Sequence, residues 1–305
     1  MIKNFLKYCF TKLGFQINKL PKPNGNPNEL ITAQIGKFNL LLNRNHSLPG
    51  YLKALPHYSK NLPRLATQIK QKYTDLILID IGANVGDTVA LTRSECDCKI
   101  VCIEGNEFYF DVLKKNLQQF KDVFAFNIFL ADEEKNIAGN VEMAGGTLKI
   151  VSNKNSTEQN KIQLTTLDNF LTQNSNFKTA KLLKIDTDGF DMKVMRGGIN
   201  YIAETKPILF FEYDRTLLEG ENENGLHTLY MLEKLGYENA LYYDNYGRFM
   251  LSAELKNHSL IEQLHYYIEE GKSAFRYYDM CLFHKDDTDI YNDFVKKEIA
   301  FFKQN

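Results

Sequence analysis

The 305-residue sequence contains no tryptophan, only five cysteines, and no apolar run of 18 residues or more. The missing run excludes a membrane-spanning helix of the ordinary kind. Five thiols, an odd number, do not make a disulfide framework, and Cys96, Cys98 and Cys102 include no C-x-x-C pair, so buried thiols are expected rather than a zinc site. That points to a reducing cytoplasm. Lys3, Lys7 and Lys12 interrupt the hydrophobic patches of the first twenty residues and no small-residue cleavage site follows, which argues against a secretory signal. Internal repeats and low-complexity segments are also lacking.

What is present suffices for a full core: 44% of residues are hydrophobic, enough for one large domain or one domain with an appendage. The net charge of -1 hides a polarised chain. Residues 1–72 carry twelve Lys and Arg against the single acid Glu29, a net of +11, leaving the remainder at -12. A basic front end attracts a phosphate-bearing partner: an anionic membrane surface on the inner face, a nucleotide-sugar, a phospholipid-linked glycan or a nucleic acid. Docking against the acidic body would account for it equally well. Residues 1–72 are expected to form a basic N-terminal cap and residues 73–305 the main domain.

The organising stretch runs from Leu76 to Thr88. Its aliphatic residues suit a strand buried on both faces, and Asp80, Gly82 and Gly86 then make a tight turn before a helix starts. Such a turn brings backbone close to a nucleoside ligand at the carboxyl end of a strand. A G-x-G-x-x-G run from Gly82 would need glycine at Asn84 and Asp87, so a dinucleotide pyrophosphate is excluded. An acid followed by Gly-x-x-x-Gly suits a phosphate-free ligand, S-adenosylmethionine, with Ala83, Asn84, Asp87 and Thr88 completing the turn. The next strand, Lys99–Ile103, ends in Glu104, an acid placed for ribose hydroxyls, followed by Gly105 and Asn106. After a helix over Glu107–Leu117 and a strand over Val123–Phe129, Ala131 and Asp132 are placed to reach an adenine amino group.

Elsewhere, hydrophobic spacing predicts an amphipathic helix in Met1–Leu20, a linker over Pro21–Pro27, a hairpin in Leu30–Leu42, and a helix from Pro63 to Lys72. Short strands flank a loop over Asn153–Asn160 that would border the substrate mouth. A second dense constellation follows, Leu182-Leu-Lys-Ile-Asp-Thr-Asp-Gly-Phe-Asp191: an apolar strand ending in Asp186, Asp188 and Asp191. Crowded acids need a cation, hydrogen bonds or a catalytic task; Asp191 alone would suit a helix first turn. A fifth strand, Pro207–Phe211, ends in Glu212-Tyr-Asp214.

Asp80-Ile-Gly-Ala-Asn-Val-Gly86, Glu104, Thr166-Leu-Asp168, Lys184-Ile-Asp-Thr-Asp-Gly189, Arg196-Gly-Gly198 and Ile208-Leu-Phe-Phe-Glu212 together resemble the FkbM family of S-adenosylmethionine-dependent O-methyltransferases, over roughly residues 75–240. Gly105 stands where the family usually has Pro, and Thr187-Asp-Gly-Phe-Asp191 where it has Val-Glu-Gly-x-Glu, so two glutamates are shortened. The resemblance implies an α/β, Rossmann-like class I methyltransferase fold, with a mostly parallel seven-stranded sheet flanked by helices. It also implies methylation of a hydroxyl, often on a sugar of a glycan, glycolipid or secondary metabolite.

A sugar hydroxyl is a poor nucleophile that must be oriented and relieved of its proton. Asp186 and then Asp188 are the leading bases, Glu212 and Asp214 line the acceptor side, and His46, in a polar loop, is a further candidate. A divalent cation across Asp186, Asp188 and Asp214 would lower the hydroxyl pKa and explain the crowding. Two rivals compete. A nucleic-acid methyltransferase would use the basic front end, but the Asn/Asp-Pro-Pro-Tyr signature and tryptophan are missing and the body is acidic. A cofactor-binding scaffold would have lost catalysis with the shortened acids.

Overall fold

The computed structural model describes residues 29–144, 147–152, 161–268 and 272–304. The expected helix in Met1–Leu20, the Pro21–Pro27 linker and the Asn153–Asn160 loop lie outside them. Strands β1 (Leu30–Ile35) and β2 (Phe38–Asn43) form an antiparallel hairpin, followed by helices α1 (Leu48–Ala54) and α2 (Asn61–Lys70). Next come β3 (Ile77–Ile81), α3 (Asp87–Glu95), β4 (Lys99–Ile103), α4 (Glu107–Leu117) and β5 (Val123–Phe126). The Asn106 side chain starts α4 by accepting from the Tyr109 N–H at 3.0 Å, satisfying one of the helix's orphan donors.

The expected strand over Val123–Phe129 breaks after Phe126, because the Asn127 side chain donates to the Glu104 and Gly105 carbonyls at 2.8 and 3.0 Å. Chain then diverts into a satellite sheet of β6 (Phe129–Ala131), β7 (Lys135–Ala144), β8 (Thr147–Ser152) and β9 (Lys161–Thr166), in the order β6-β9-β7-β8. The main domain resumes with α5 (Leu167–Gln173), β10 (Leu182–Ile185), α6 (Asp191–Gly197), α7 (Ile199–Thr205) and β11 (Ile208–Tyr213). It closes with α8 (Arg215–Gly220), α9 (Gly225–Lys234), β12 (Tyr237–Asp244), β13 (Phe249–Glu254), α10 (His258–Tyr267), β14 (Tyr278–His284) and α11 (Thr288–Gln304).

The main sheet has the order β13-β12-β14-β11-β10-β3-β4-β5. Strands β11, β10, β3, β4 and β5 are parallel neighbours, whereas β14 is antiparallel to both β11 and β12. This is the Rossmann-like class I methyltransferase arrangement, with eight strands rather than seven because β13 pairs on the outer edge of β12. Successive strands are added on one side of β3 through β4 and β5 and on the other through β10 and β11, so a crevice opens beyond the carboxyl ends of β3 and β10.

Alternating residues explain why both faces are covered. Ile79, Val101, Leu183, Leu209 and Phe211 pack with Leu171, Met195 and Leu229 on one side. Leu78, Ile100, Leu182, Ile208 and Phe210 pack with Leu65 and Ile69 of α2 and Phe294 of α11 on the other. Each such side chain contributes about 1.5–3 kcal/mol when fully buried. The β1–β2 hairpin joins a third cluster, where Leu40 and Leu42 meet Val85, Ala90 and Val112. Asn116 of α4 ties it down, donating to the Leu41 and Val85 carbonyls and accepting from the Leu41 N–H at 2.7 Å. Cys96, Cys98, Cys102 and Cys281 are free, buried thiols. Among the described residues no helix is long and apolar enough to cross a membrane.

Candidate active site

Gly82 makes the turn after β3 at φ +80°, and a Cβ there would lie 1.8 Å from the Asp186 carbonyl oxygen. Only glycine lets the β3 and β10 loops approach this closely. The turn lies between two cavities, of about 80 and 400 Å³, both lined by Gly82, Asn84, Asp186 and Asp188.

The smaller cavity sits beyond β3 and β4, with Glu104, Gly105, Phe129 and Phe190 in its wall. Glu104 Oε2 accepts from the Asn84 N–H at 2.8 Å and Oε1 from the Asn106 N–H at 2.7 Å. Burial pushes its carboxyl up to about 7 against the pull of those two N–H groups. A carboxylate held by backbone at a strand end, beside apolar rings, fits a nucleoside: hydroxyls to the acid, a base to Phe129 and Phe190. At Gly105 a Cβ would fall 2.2 Å from the Phe129 ring, so the glycine that replaces a proline here makes room for that ring.

The larger cavity is walled by His46, Tyr51, Tyr58 and Asn61 from the N-terminal part, Asp87 and Thr88 of α3, Lys184, Asp186 and Asp188, then Glu212, Asp214, Asn245, Arg276, Tyr277 and Asp279. Lys184 organises it. Register places Lys184 directly opposite Asp80, and its Nζ lies 3.1 Å from Asp80 Oδ1 and 3.3 Å from Asp186 Oδ2. Burial raises Asp80, the Lys184 charge opposes that rise, and the surrounding carboxylates hold Lys184 protonated far above its ordinary range. Burial also raises Asp87, opposed by Lys184 and His46.

Among the described residues no group of three His, Cys, Asp or Glu side chains is disposed to hold a metal ion. The expected cation across Asp186, Asp188 and Asp214 is replaced by fixed charges. Asp186 meets the Lys184 ammonium, while Asp214 Oδ1 caps α8 by accepting from the Thr216 and Leu217 N–H groups and Oδ2 lies 3.2 Å from Arg276 Nε. Asp191 Oδ2 accepts from Thr187 Oγ1 and the Gly189 N–H, tying down the loop that carries Asp188 at φ +53°, and burial pushes Asp191 up to about 7.

His46 Nδ1 accepts from the Leu48 N–H at 3.2 Å, so the neutral ring carries its proton on Nε2, which faces Asn84 Oδ1 at 3.2 Å. Several residues expected at a cofactor line neither cavity. Asp80 is fully buried beneath the turn, Ala83 and Ala131 are packed in the core, and Gly86 and Asn106 serve as the N-caps of α3 and α4. Asp132 is held by Arg196 at 2.7 Å, which also grips Glu223. Sequence reasoning missed the aromatic walls, Tyr51, Tyr58, Phe129 and Phe190, and also Lys184 and Asp279. A lysine at the centre of an apolar strand was the available signal for Lys184; for Asp279, 67 residues beyond Glu212, only strand order brings it in.

The sequence profile of the Methyltransferase FkbM domain matches residues 80–238. No curated protein matches the chain. Among solved structures, the methyltransferase FkbM of Methylobacillus flagellatus KT shares 15% identity over 45% of this chain and 32% of its own, with a TM-score of 0.33. This chain thus spans about a third of that relative's length. The precorrin-6y C5,15-methyltransferase of Geobacter metallireducens GS-15 shares 12% over 69% and 80%, with a TM-score of 0.34. The Pyrococcus abyssi tRNA (uracil-54, C5)-methyltransferase, solved with S-adenosyl-L-homocysteine, shares 10% over 83% and 44%, with a TM-score of 0.36.

Proposed function

The chain belongs to the FkbM methyltransferase family, and on that premise we propose that it moves a methyl group from S-adenosylmethionine to a hydroxyl of a sugar-containing acceptor. The supporting observation is the pair of cavities that share Gly82, Asn84, Asp186 and Asp188. A two-substrate transfer needs such a junction, with one reactant on each side and the reacting atoms meeting where the walls coincide. Glu104, Gly105, Phe129 and Phe190 hold the nucleoside end of the cofactor on the small side. When bound, the cofactor supplies a methyl group already activated by the sulfonium charge.

The larger cavity receives the acceptor. Tyr51 and Tyr58, ring centroids 5.4 Å apart, offer flat surfaces against a sugar ring, and the carboxylates offer acceptors for its hydroxyls. Six acids in that wall, Asp87, Asp186, Asp188, Glu212, Asp214 and Asp279, share it with two fixed cations among the described residues, Lys184 and Arg276. A phosphate is repelled there, so the anionic part of any phosphate-bearing acceptor stays outside the cavity.

Calorimetry with S-adenosylmethionine, followed by transfer of a labelled methyl group across a panel of free sugars, glycolipids and nucleotide-sugars, tests the reading. Binding and a methyl ether on a sugar are expected. Absence of cofactor binding, or label appearing only on nucleic acid, sinks it.

A further inference from the structure

Strands β11 and β14 run antiparallel with Glu212 directly opposite Asp279. Side chains so opposed share a face, with Cβ atoms about 4.5–5.5 Å apart, and both line the large cavity. The neutral Asn61 side chain of α2 donates to Asp279 Oδ2 at 3.3 Å. Glu212 also faces Asp186, Asp188 and Asp191; Asp279 faces Asp186 and Asp244, with Lys184 as the opposing charge. The phenols of Tyr58 and Tyr277, held neutral by burial, complete the surroundings. Burial and neighbouring carboxylates raise Glu212 well above its ordinary range and Asp279 up to about 7. In the same wall the fully buried Thr92 Oγ1 and the Asn245 Oδ1 have no hydrogen-bond partner among the described residues, which suits polar groups of a bound ligand.

Three other candidate bases are engaged: Asp186 by Lys184, Asp214 by the α8 N-terminus and Arg276, and His46 Nδ1 by the Leu48 N–H. We propose that Glu212 and Asp279 are a carboxylate pair that shares one proton at rest and accepts the acceptor's hydroxyl proton during transfer, Asp279 being a catalytic residue contributed from outside the family-matched segment. This rests on the methyltransferase reading of the cavity. An acceptor oxygen lone pair forms the new C–O bond, the electrons of the breaking C–S bond remain on sulfur, and the O–H proton passes to the ionised member of the pair. The doubly protonated pair then returns one proton to solvent.

Carbon-13 NMR of the full chain, labelled at Asp and Glu carboxyls, reads the proton without cofactor or acceptor. One proton retained by the pair near pH 7 is expected, and Asp279→Asn should lower the Glu212 midpoint by more than about one pH unit. Both groups ionised through pH 6, or an unmoved Glu212 midpoint, overturns the proposal. With the acceptor found in the panel, Asp279→Asn should lower kcat by about 10²–10⁴ while KM stays near its original value, and Asp279→Glu should restore part of the loss. A loss confined to KM assigns Asp279 to binding and overturns its catalytic role. A panel without any acceptor defeats the methyltransferase reading instead, and the NMR result still decides whether the proton is shared.

Discussion

Asp80 and Glu212 lie two strands apart on one face of the central sheet, each opposite a charged residue of the neighbouring strand, and their environments diverge. Asp80 meets the ammonium of Lys184; Glu212 meets the carboxylate of Asp279. Opposite charges make the first pair a structural tie beneath the glycine turn. Like charges facing a cavity leave the second pair without a cation directly across from it, which suits chemistry rather than cohesion.

Breaking the first pair should have the largest effect. Lys184→Met strands a fully buried carboxylate, at a cost of about 3–5 kcal/mol in urea unfolding at pH 8. Because burial raises the Asp80 pKa, the variant should recover part of that loss on acidification, as the stranded group takes up a proton. A variant as stable as the parent at pH 8 would remove the structural role of the tie.

Gly82→Ala tests the turn resting on that pair. Its Cβ would collide with the Asp186 carbonyl at a positive φ, so a loss of roughly 3 kcal/mol and of cofactor binding is expected by denaturation and calorimetry.

The second pair should respond with the opposite sign. Asp279 has its pKa raised from 3.8 to about 7, so its contribution to stability is present below pH 3.8 and lost as pH rises through about 7. Asp279→Asn lacks that loss and should gain on the order of 2 kcal/mol relative to the parent between pH 5 and pH 8, while losing activity. A stability difference independent of pH would show that burial and Asp186 do not raise Asp279 in the folded chain.

The smallest effect is expected where an acid only caps a helix. Asp214→Ala should cost ~1 kcal/mol through α8, with a modest change in transfer rate. A rate loss like that of Asp279→Asn would move Asp214 into the chemistry.

These contrasts also mark what the sequence could reveal. The apolar runs ending in Asp80, Glu104, Asp186 and Glu212 identified four parallel strands and their order of use, because a buried parallel strand leaves a continuous hydrophobic record. The turn sequence Asp244-Asn-Tyr-Gly247 suits a hairpin, but nothing in it records that β13 adds an eighth strand to the main sheet. On the Glu104 side, Gly82, Asn84, Glu104 and Gly105 fall within one βαβ unit and could be named in advance, whereas Phe129 and Phe190 come from later in the chain and could not. Asp132 looked equally well placed, but Arg196, far along the chain, holds it away. The acceptor side is assembled from segments around 46–61, 184–188, 212–217 and 276–279, whose meeting depends on which strands become neighbours. Spacing along one sequence carries no record of that.

The position of β14 sets a timetable for synthesis. It is the last of the described strands to leave the ribosome, yet it occupies an interior place between β11 and β12, pairing with both. Until residue 284 has emerged, the β12–β13 hairpin has no route into the main sheet, and Glu212 lacks the neighbour across from it. The nascent chain can therefore assemble the glycine turn before the acceptor wall, which closes only once β14 has emerged and placed Asp279 across from Glu212.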